Sequence, residues 1–124
     1  MRTILVADDS LFMRRALEDI LAERYAVVEA DTGRKSLEEF LRVRPDLVLL
    51  DVVMSEGDDE GIKVLGRIMT ADPSASVVMI SALAQQKAVV AECMRLGAKG
   101  FILKPFNEEQ VLRVVEECLG MTPP

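Results

Sequence analysis

The chain has 124 residues, half of them hydrophobic, which suits one domain with a core of its own. Twenty-one acidic residues against fifteen basic ones leave a net charge of −6, the wrong balance for a surface that grips nucleic-acid phosphates. There is no histidine, so imidazole ligation of a metal and His-based general base catalysis are excluded, and no apolar run is long enough to span a membrane.

A first strand is expected at Thr3 to Ala7, ending on Asp8-Asp9. A helix follows from about Ser10 to Glu23, with Met13, Ala16, Leu17, Ile20 and Leu21 on its inner face. The strand Ala26 to Ala30 leads to Asp31 or Thr32, either of which can cap a helix that turns Leu37, Phe40 and Leu41 inward. Arg44-Pro45-Asp46 breaks that helix before the strand Leu47 to Leu50, which ends at Asp51. A long loop to Glu60 precedes a helix carrying Ile62, Leu65, Ile68 and Met69, stopped by Asp72-Pro73. The strand Ser76 to Ile80 ends at Ser81, and a helix from about Gln85 to Leu96 closes at Gly97. The last strand, Gly100 to Leu103, ends at Lys104-Pro105. The final helix begins at Asn107 with Gln110 as its capping-box partner, and presents Val111, Val114, Val115 and Cys118 inward until Gly120. Residues 1–120 read as one domain and Met121 to Pro124 as a tail. Cys93 and Cys118 fall at apolar helix positions and read as buried free thiols. The chain opens directly on a strand, without a charged-then-apolar leader, so a cytoplasmic protein is expected, where disulfides are rare.

Five alternations of strand and helix, with strands that are apolar on both faces, predict an α/β sandwich around a parallel sheet. Ligands of such sheets bind outside the carboxyl ends of the strands. Asp8, Asp9, Asp51, Ser81 and Lys104 all stand at strand ends, which would bring three carboxylates, a hydroxyl and an ammonium to one edge. Three close carboxylates need a cation, and oxygen-only donors suit a hard one, Mg²⁺ or Mn²⁺. One of Asp8 and Asp9 is also placed to cap the following helix. A carboxylate can act as nucleophile and carry an aspartyl-phosphate, and phosphoryl transfer asks mostly for positioning and charge neutralisation. Lys104 and Ser81 are suited to phosphoryl oxygens.

Four stretches together carry a resemblance: Ile4-Leu5-Val6-Ala7-Asp8-Asp9-Ser10, Pro45 through Met54, Val78-Met79-Ile80-Ser81-Ala82, and Gly97 through Phe106. The chain resembles the receiver domains of two-component response regulators, most closely the stand-alone chemotaxis, CheY-like type, over essentially its whole length. The resemblance implies a flavodoxin-like (βα)5 three-layer sandwich with a five-stranded parallel sheet in the order 2-1-3-4-5, an order for which the chemotaxis member is itself a standard example. It implies that Asp51 accepts a phosphoryl group from a histidine kinase or a histidine phosphotransfer protein. Asp8, Asp9, Asp51 and the Val53 carbonyl would hold Mg²⁺ or Mn²⁺, and Ser81 and Lys104 would bind phosphoryl oxygens. Phe101 matches the family's switch aromatic, though its residue type equally suits an ordinary core position, and Lys104-Pro105 matches the family's cis peptide. Such a domain signals and is not a turnover enzyme. Its downstream protein target, or a second receiver, would meet the fourth helix, fifth strand and fifth helix, where Val90, Met94 and Leu112 form an extra apolar stripe beside Phe101.

Two departures stand out. The family's Met-Pro pair is Met54-Ser55 here, and the loop is about two residues longer than usual, crowded by Glu56, Asp58, Asp59 and Glu60; mobility without metal is expected of it. Val53 and Leu83 occupy positions that are often polar in the family, and neither can orient a water, so slow self-dephosphorylation is expected. Three other functions were open to the pattern. A Mg²⁺-dependent aspartyl phosphohydrolase usually shows Asp-x-Asp and needs a cap segment. A flavin or nucleotide domain wants a Gly-rich first turn. A phosphorylation-independent binding module would not need this site.

Overall fold

The computed structural model describes residues 1–82 and 86–120; Leu83, the expected helix start at Gln85 and the tail Met121 to Pro124 lie outside them. The elements alternate along the chain: β1 (Thr3–Ala7), α1 (Leu11–Leu21), β2 (Ala26–Ala30), α2 (Gly33–Val43), β3 (Leu47–Asp51), α3 (Glu60–Ala71), β4 (Val77–Ser81), α4 (Lys87–Leu96), β5 (Gly100–Leu103) and α5 (Glu108–Gly120). All strand pairs are parallel, in the order β2-β1-β3-β4-β5.

Alternate residues of each strand face opposite layers. Leu5 and Ala7, Val48 and Leu50, and Val77 and Met79 pack under Phe40 of α2, Val64, Leu65 and Ile68 of α3, and Cys93 of α4. Ile4 and Val6, Leu47 and Leu49, and Val78 and Ile80 pack under Leu17 and Leu21 of α1 and Val111, Val115 and Cys118 of α5. Both layers being covered explains why β3 and β4 are buried along their whole length. Cys93 and Cys118 are buried free thiols. No helix among the described residues is long and apolar enough to cross a membrane.

Local chemistry sets the helix ends. The Ser10 hydroxyl accepts the Met13 N–H at 3.2 Å and caps α1, so neither Asp8 nor Asp9 does. Thr32, not Asp31, caps α2 by accepting the Lys35 N–H at 3.1 Å. Asn107 and Gln110 exchange side-chain bonds to each other's backbone N–H at 3.0 and 2.8 Å, the reciprocal capping box expected at the start of α5. Gly97 ends α4 at φ 109°, a left-handed conformation that favours glycine. Leu41 departs from the expected inner face of α2 and is 45% exposed, because Leu37 and Phe40 already fill the stripe facing the sheet.

The β3–α3 connection is closed by backbone bonds. Met54 and Gly57 exchange backbone bonds at 3.1 and 3.0 Å, and the Gly61 N–H donates to the Val52 carbonyl at 2.8 Å. Met54 is 2% exposed. These ties give the loop fixed points at Val52, Met54 and Gly57.

Candidate metal and phosphoryl site

Strand register builds the site. Ala7 pairs with Leu50, Asp51 with Ile80, and Ser81 with Leu103. Asp8, Asp51, Ser81 and Lys104 therefore stand at or one residue past the carboxyl ends of four adjacent strands. A slip of one residue would send each side chain to the other face of the sheet.

Asp8 is buried with both oxygens engaged. Its Oδ1 accepts the Ser10 N–H at 2.9 Å and its Oδ2 accepts a bond from the Lys104 Nζ at 2.9 Å. Asp51 is 6% exposed; its Oδ1 accepts the Val53 N–H at 3.3 Å and its Oδ2 accepts from the same Lys104 Nζ at 2.9 Å. Asp9 is exposed beside them. One carboxylate oxygen each from Asp8, Asp9 and Asp51 can be chosen so that all lie within 4.8 Å of one another. With all three ionised and Lys104 charged, two negative charges remain, which one dication would cancel. The donor set is oxygen-only, partly buried and open on the Asp9 side, and so fits a hard cation that keeps some of its waters.

The same crowding sets the proton affinities. Burial pushes the Asp51 carboxyl up to about 6; the Lys104 ammonium pulls it back only in part, and the nearby Asp8 charge adds to the rise. Burial works against the Lys104 charge, but its bonds to Asp8 and Asp51 outweigh that and hold its pKa above the ordinary lysine value. The ammonium is thus a fixed cation bridging two carboxylates.

Ser81 is buried at the end of β4. Val53 is half-buried, and its N–H, on Asp51, fixes the start of the loop. Phe101 is half-buried against the core under α3 and α4, so it begins neither fully inward nor fully solvated. The Lys104-Pro105 peptide is cis, as expected. On the expected partner face Met94 is exposed, and Val90 and Leu112 are half-buried.

The sequence reading gave no role to two residues that support this edge. Arg14 donates to the Asp8 carbonyl at 2.8 Å and to Glu29 Oε1 at 3.1 Å, joining the Asp8 turn to β2; its place on the first turn after Ser10 was the available signal. Glu56 reaches from the β3–α3 loop to α2, accepting from the Gly33 and Arg34 N–H groups at 2.9 and 3.2 Å. Sequence spacing carries no hint of that contact. Leu11 and Phe12, at the start of α1 beside Asp9, are both exposed, Phe12 at 79%.

Comparison with known proteins agrees with this geometry. The family model for the response regulator receiver domain matches residues 4–116. The chain is 40% identical to the chemotaxis protein CheY of Listeria monocytogenes over 120 residues, covering 95% of this chain and 98% of that one. It is 42% identical to Protein CcdB of Bacillus subtilis over 122 residues, covering 97% and 99%. Among solved structures, a chain of the CheX-CheY-BeF3-Mg²⁺ complex from Borrelia burgdorferi superposes with a TM-score of 0.86 at 34% identity, covering 94% of this chain and 87% of that one. The chain belongs to the response regulator receiver domains.

Proposed function

We propose that this domain accepts a phosphoryl group on Asp51 from the phosphohistidine of a histidine kinase or a histidine phosphotransfer protein, in a reaction that depends on Mg²⁺ or Mn²⁺. Asp8, Asp9, Asp51 and the Val53 carbonyl would hold the ion. The observation that carries the reading is the meeting of Asp8, Asp9 and Asp51 within 4.8 Å, with the Lys104 ammonium bonded to two of them.

An Asp51 carboxylate oxygen attacks phosphorus in line with the phosphorus–nitrogen bond of the donor. A phosphorus–oxygen bond forms as that bond breaks; its electron pair stays on the imidazole nitrogen, which takes up a proton from solvent. The product is an acyl phosphate on Asp51. A bound dication supplies neutralisation of the carboxylates and of one phosphoryl oxygen. Lys104, already against Asp51, exchanges a carboxylate oxygen for a phosphoryl oxygen, and the Ser81 hydroxyl donates to another. Nucleophilic attack needs Asp51 ionised; burial opposes that charge, and a bound dication would favour it.

Because the phosphoryl group ends on the protein's own side chain, the domain acts as a signalling switch and not as a turnover enzyme. The donor approaches the open side of the edge, where Leu11 and Phe12 offer apolar surface. Movement of Ser81 toward the phosphoryl group frees space beside β5, Phe101 turns inward, and the face of α4, β5 and α5 changes for a downstream protein or a second receiver. The phosphate thereby biases two states that already interconvert. On this reading the domain works in the cytoplasm, without direct contact with nucleic acid or the membrane interior.

The test is NMR of the protein with beryllofluoride and Mg²⁺. Resonances around Asp51, Ser81 and Phe101 shift in the wild type and stay in place in Asp51→Asn. Unmoved wild-type resonances at saturating reagent would overturn the reading.

A further inference from the structure

The β3–α3 connection runs over residues 52–59 and lacks the proline expected after Met54. Its tip is the turn Met54-Ser55-Glu56-Gly57, closed by the two backbone bonds between Met54 and Gly57. Glu56 leaves that tip and lands on the first turn of α2.

An α-helix leaves its first backbone N–H groups without partners in the helix. In α2 each of them has a partner that can be named. The N–H groups of Gly33 and Arg34 go to the two Glu56 carboxylate oxygens. The Lys35 N–H goes to Thr32 Oγ1, and the Ser36 N–H makes the first ordinary bond of the helix, to the Thr32 carbonyl at 2.9 Å. α2 carries no acidic residue in its own first turn, so the anion that suits its positive end comes from another loop. Those bonds hold the Glu56 carboxyl below the usual glutamate range, the Gly33 N–H contributing most. Glu60, the first residue of α3, crowds the same spot: a Cβ on Gly33 would meet its side chain. An acid from the tip of the connection and one from the start of α3 thus converge on one glycine of α2.

We propose that Glu56 is a positioning residue for the cation site, holding the segment Val52-Val53-Met54 in place after Asp51 by tethering its loop to the amino end of α2. This rests on the proposed cation site and adds a support that acts through the loop, not through the ion. Partners bonded directly to metal ligands change metal affinity in other proteins by roughly 10–100-fold; Glu56 acts a step further out, through the loop.

The experiment is Mg²⁺ titration by calorimetry of the wild type, Glu56→Ala, Glu56→Gln and Thr32→Ala, with amide NMR in parallel. Glu56→Ala should weaken Mg²⁺ about ten-fold, at the low end of that range because the contact lies outside the ligand set. Glu56→Gln should fall between, since its amide oxygen still accepts. Thr32→Ala, which weakens α2 without touching the loop, should bind as the wild type does. The Gly33 and Arg34 amides should shift on Mg²⁺ addition in the wild type and not in Glu56→Ala. Unchanged affinity in Glu56→Ala, or equal weakening in Thr32→Ala, overturns the tether alone. Absence of Mg²⁺ binding by the wild type overturns the cation site and the tether with it.

Discussion

Two connections deliver the carboxylates of the site, and they are built differently. The β1–α1 connection is residues 8–10; the β3–α3 connection is residues 52–59. The short one is set largely by residues beside it in the chain: Asp8 accepts from Ser10, Ser10 accepts from Met13, and Arg14 donates to the Asp8 carbonyl, with Lys104 as a distant partner. The long one is closed by the Gly61 N–H on the Val52 carbonyl and is tied to a distant part of the chain, where Glu56 accepts from the Gly33 and Arg34 N–H groups of α2. Local side-chain bonds can fix three residues; eight residues in a loop must borrow fixed points from elsewhere. Damage to the first should stay local, while damage to the second should spread to the nucleophile, because Asp51 opens that loop.

The largest expected effect removes the nucleophile. Asp51→Asn should abolish acyl phosphate formation from acetyl phosphate, read by intact-protein mass spectrometry; a full-strength phosphoryl adduct on the variant would contradict the assignment.

Lys104→Ala comes next, because it leaves two buried carboxylates without their shared cation. Breaking a buried ion pair typically costs about 3–5 kcal/mol, and the residual exposure of the lysine argues for the lower end. Denaturant unfolding without divalent ions should show that loss, and Mg²⁺ should recover much of it by replacing the missing charge. A loss that Mg²⁺ leaves untouched would break the argument that charge crowding is the cause.

Gly61→Ala and Ser10→Ala then compare the two connections directly. A Cβ on Gly61 would run into the Asp51 carbonyl oxygen, so the backbone must part, at about 1–3 kcal/mol for overpacking and with weaker Mg²⁺ binding. Ser10→Ala removes a helix cap, for about 1 kcal/mol, with Mg²⁺ affinity nearly kept. If Ser10→Ala disturbs the ion as much as Gly61→Ala, the contrast between the connections fails.

The most gradual effect is a slope with pH. The Asp51 carboxyl sits at about 6 in the fold against an ordinary 3.8, so between those values the folded state binds more protons than the unfolded one. This group therefore lowers cation-free stability as pH rises from about 4 to 6, by an amount on the order of 1–3 kcal/mol. It has no such effect below that window. Asp51→Asn should flatten that part of the pH–stability curve; an unchanged slope would refute the burial argument.

Much of this was legible in the sequence, for reasons that differ by residue. The apolar runs of β3 and β4 announce burial on both faces, and the residues that end them mark the site. The order of the strands, and with it the adjacency of Asp8 and Asp51, came from resemblance, because periodicity does not specify which strands pair. Asn107 with Gln110 was readable because a capping box is local. The assignment of α1's cap to Asp8 or Asp9 overlooked that Asp8 is occupied by Lys104 and the Ser10 N–H, which leaves the cap to Ser10. Leu41 was misplaced because a helical stripe has soft margins. Glu56 was illegible: its partners lie 22 and 23 residues earlier, and nothing in the run of acids Glu56, Asp58, Asp59 and Glu60 marks one as different.

The central claim is that a carboxylate cluster with a bridging ammonium makes Asp51, and no other side chain, the phosphoryl acceptor. Its most direct test is acetyl phosphate with Mg²⁺, then borohydride reduction of the acyl phosphate and peptide mapping by mass spectrometry. The account predicts reduction at Asp51 alone, lost when EDTA replaces Mg²⁺. Labelling at Asp8, Asp9 or another residue, or equal labelling of Asp51 without a divalent ion, would contradict it.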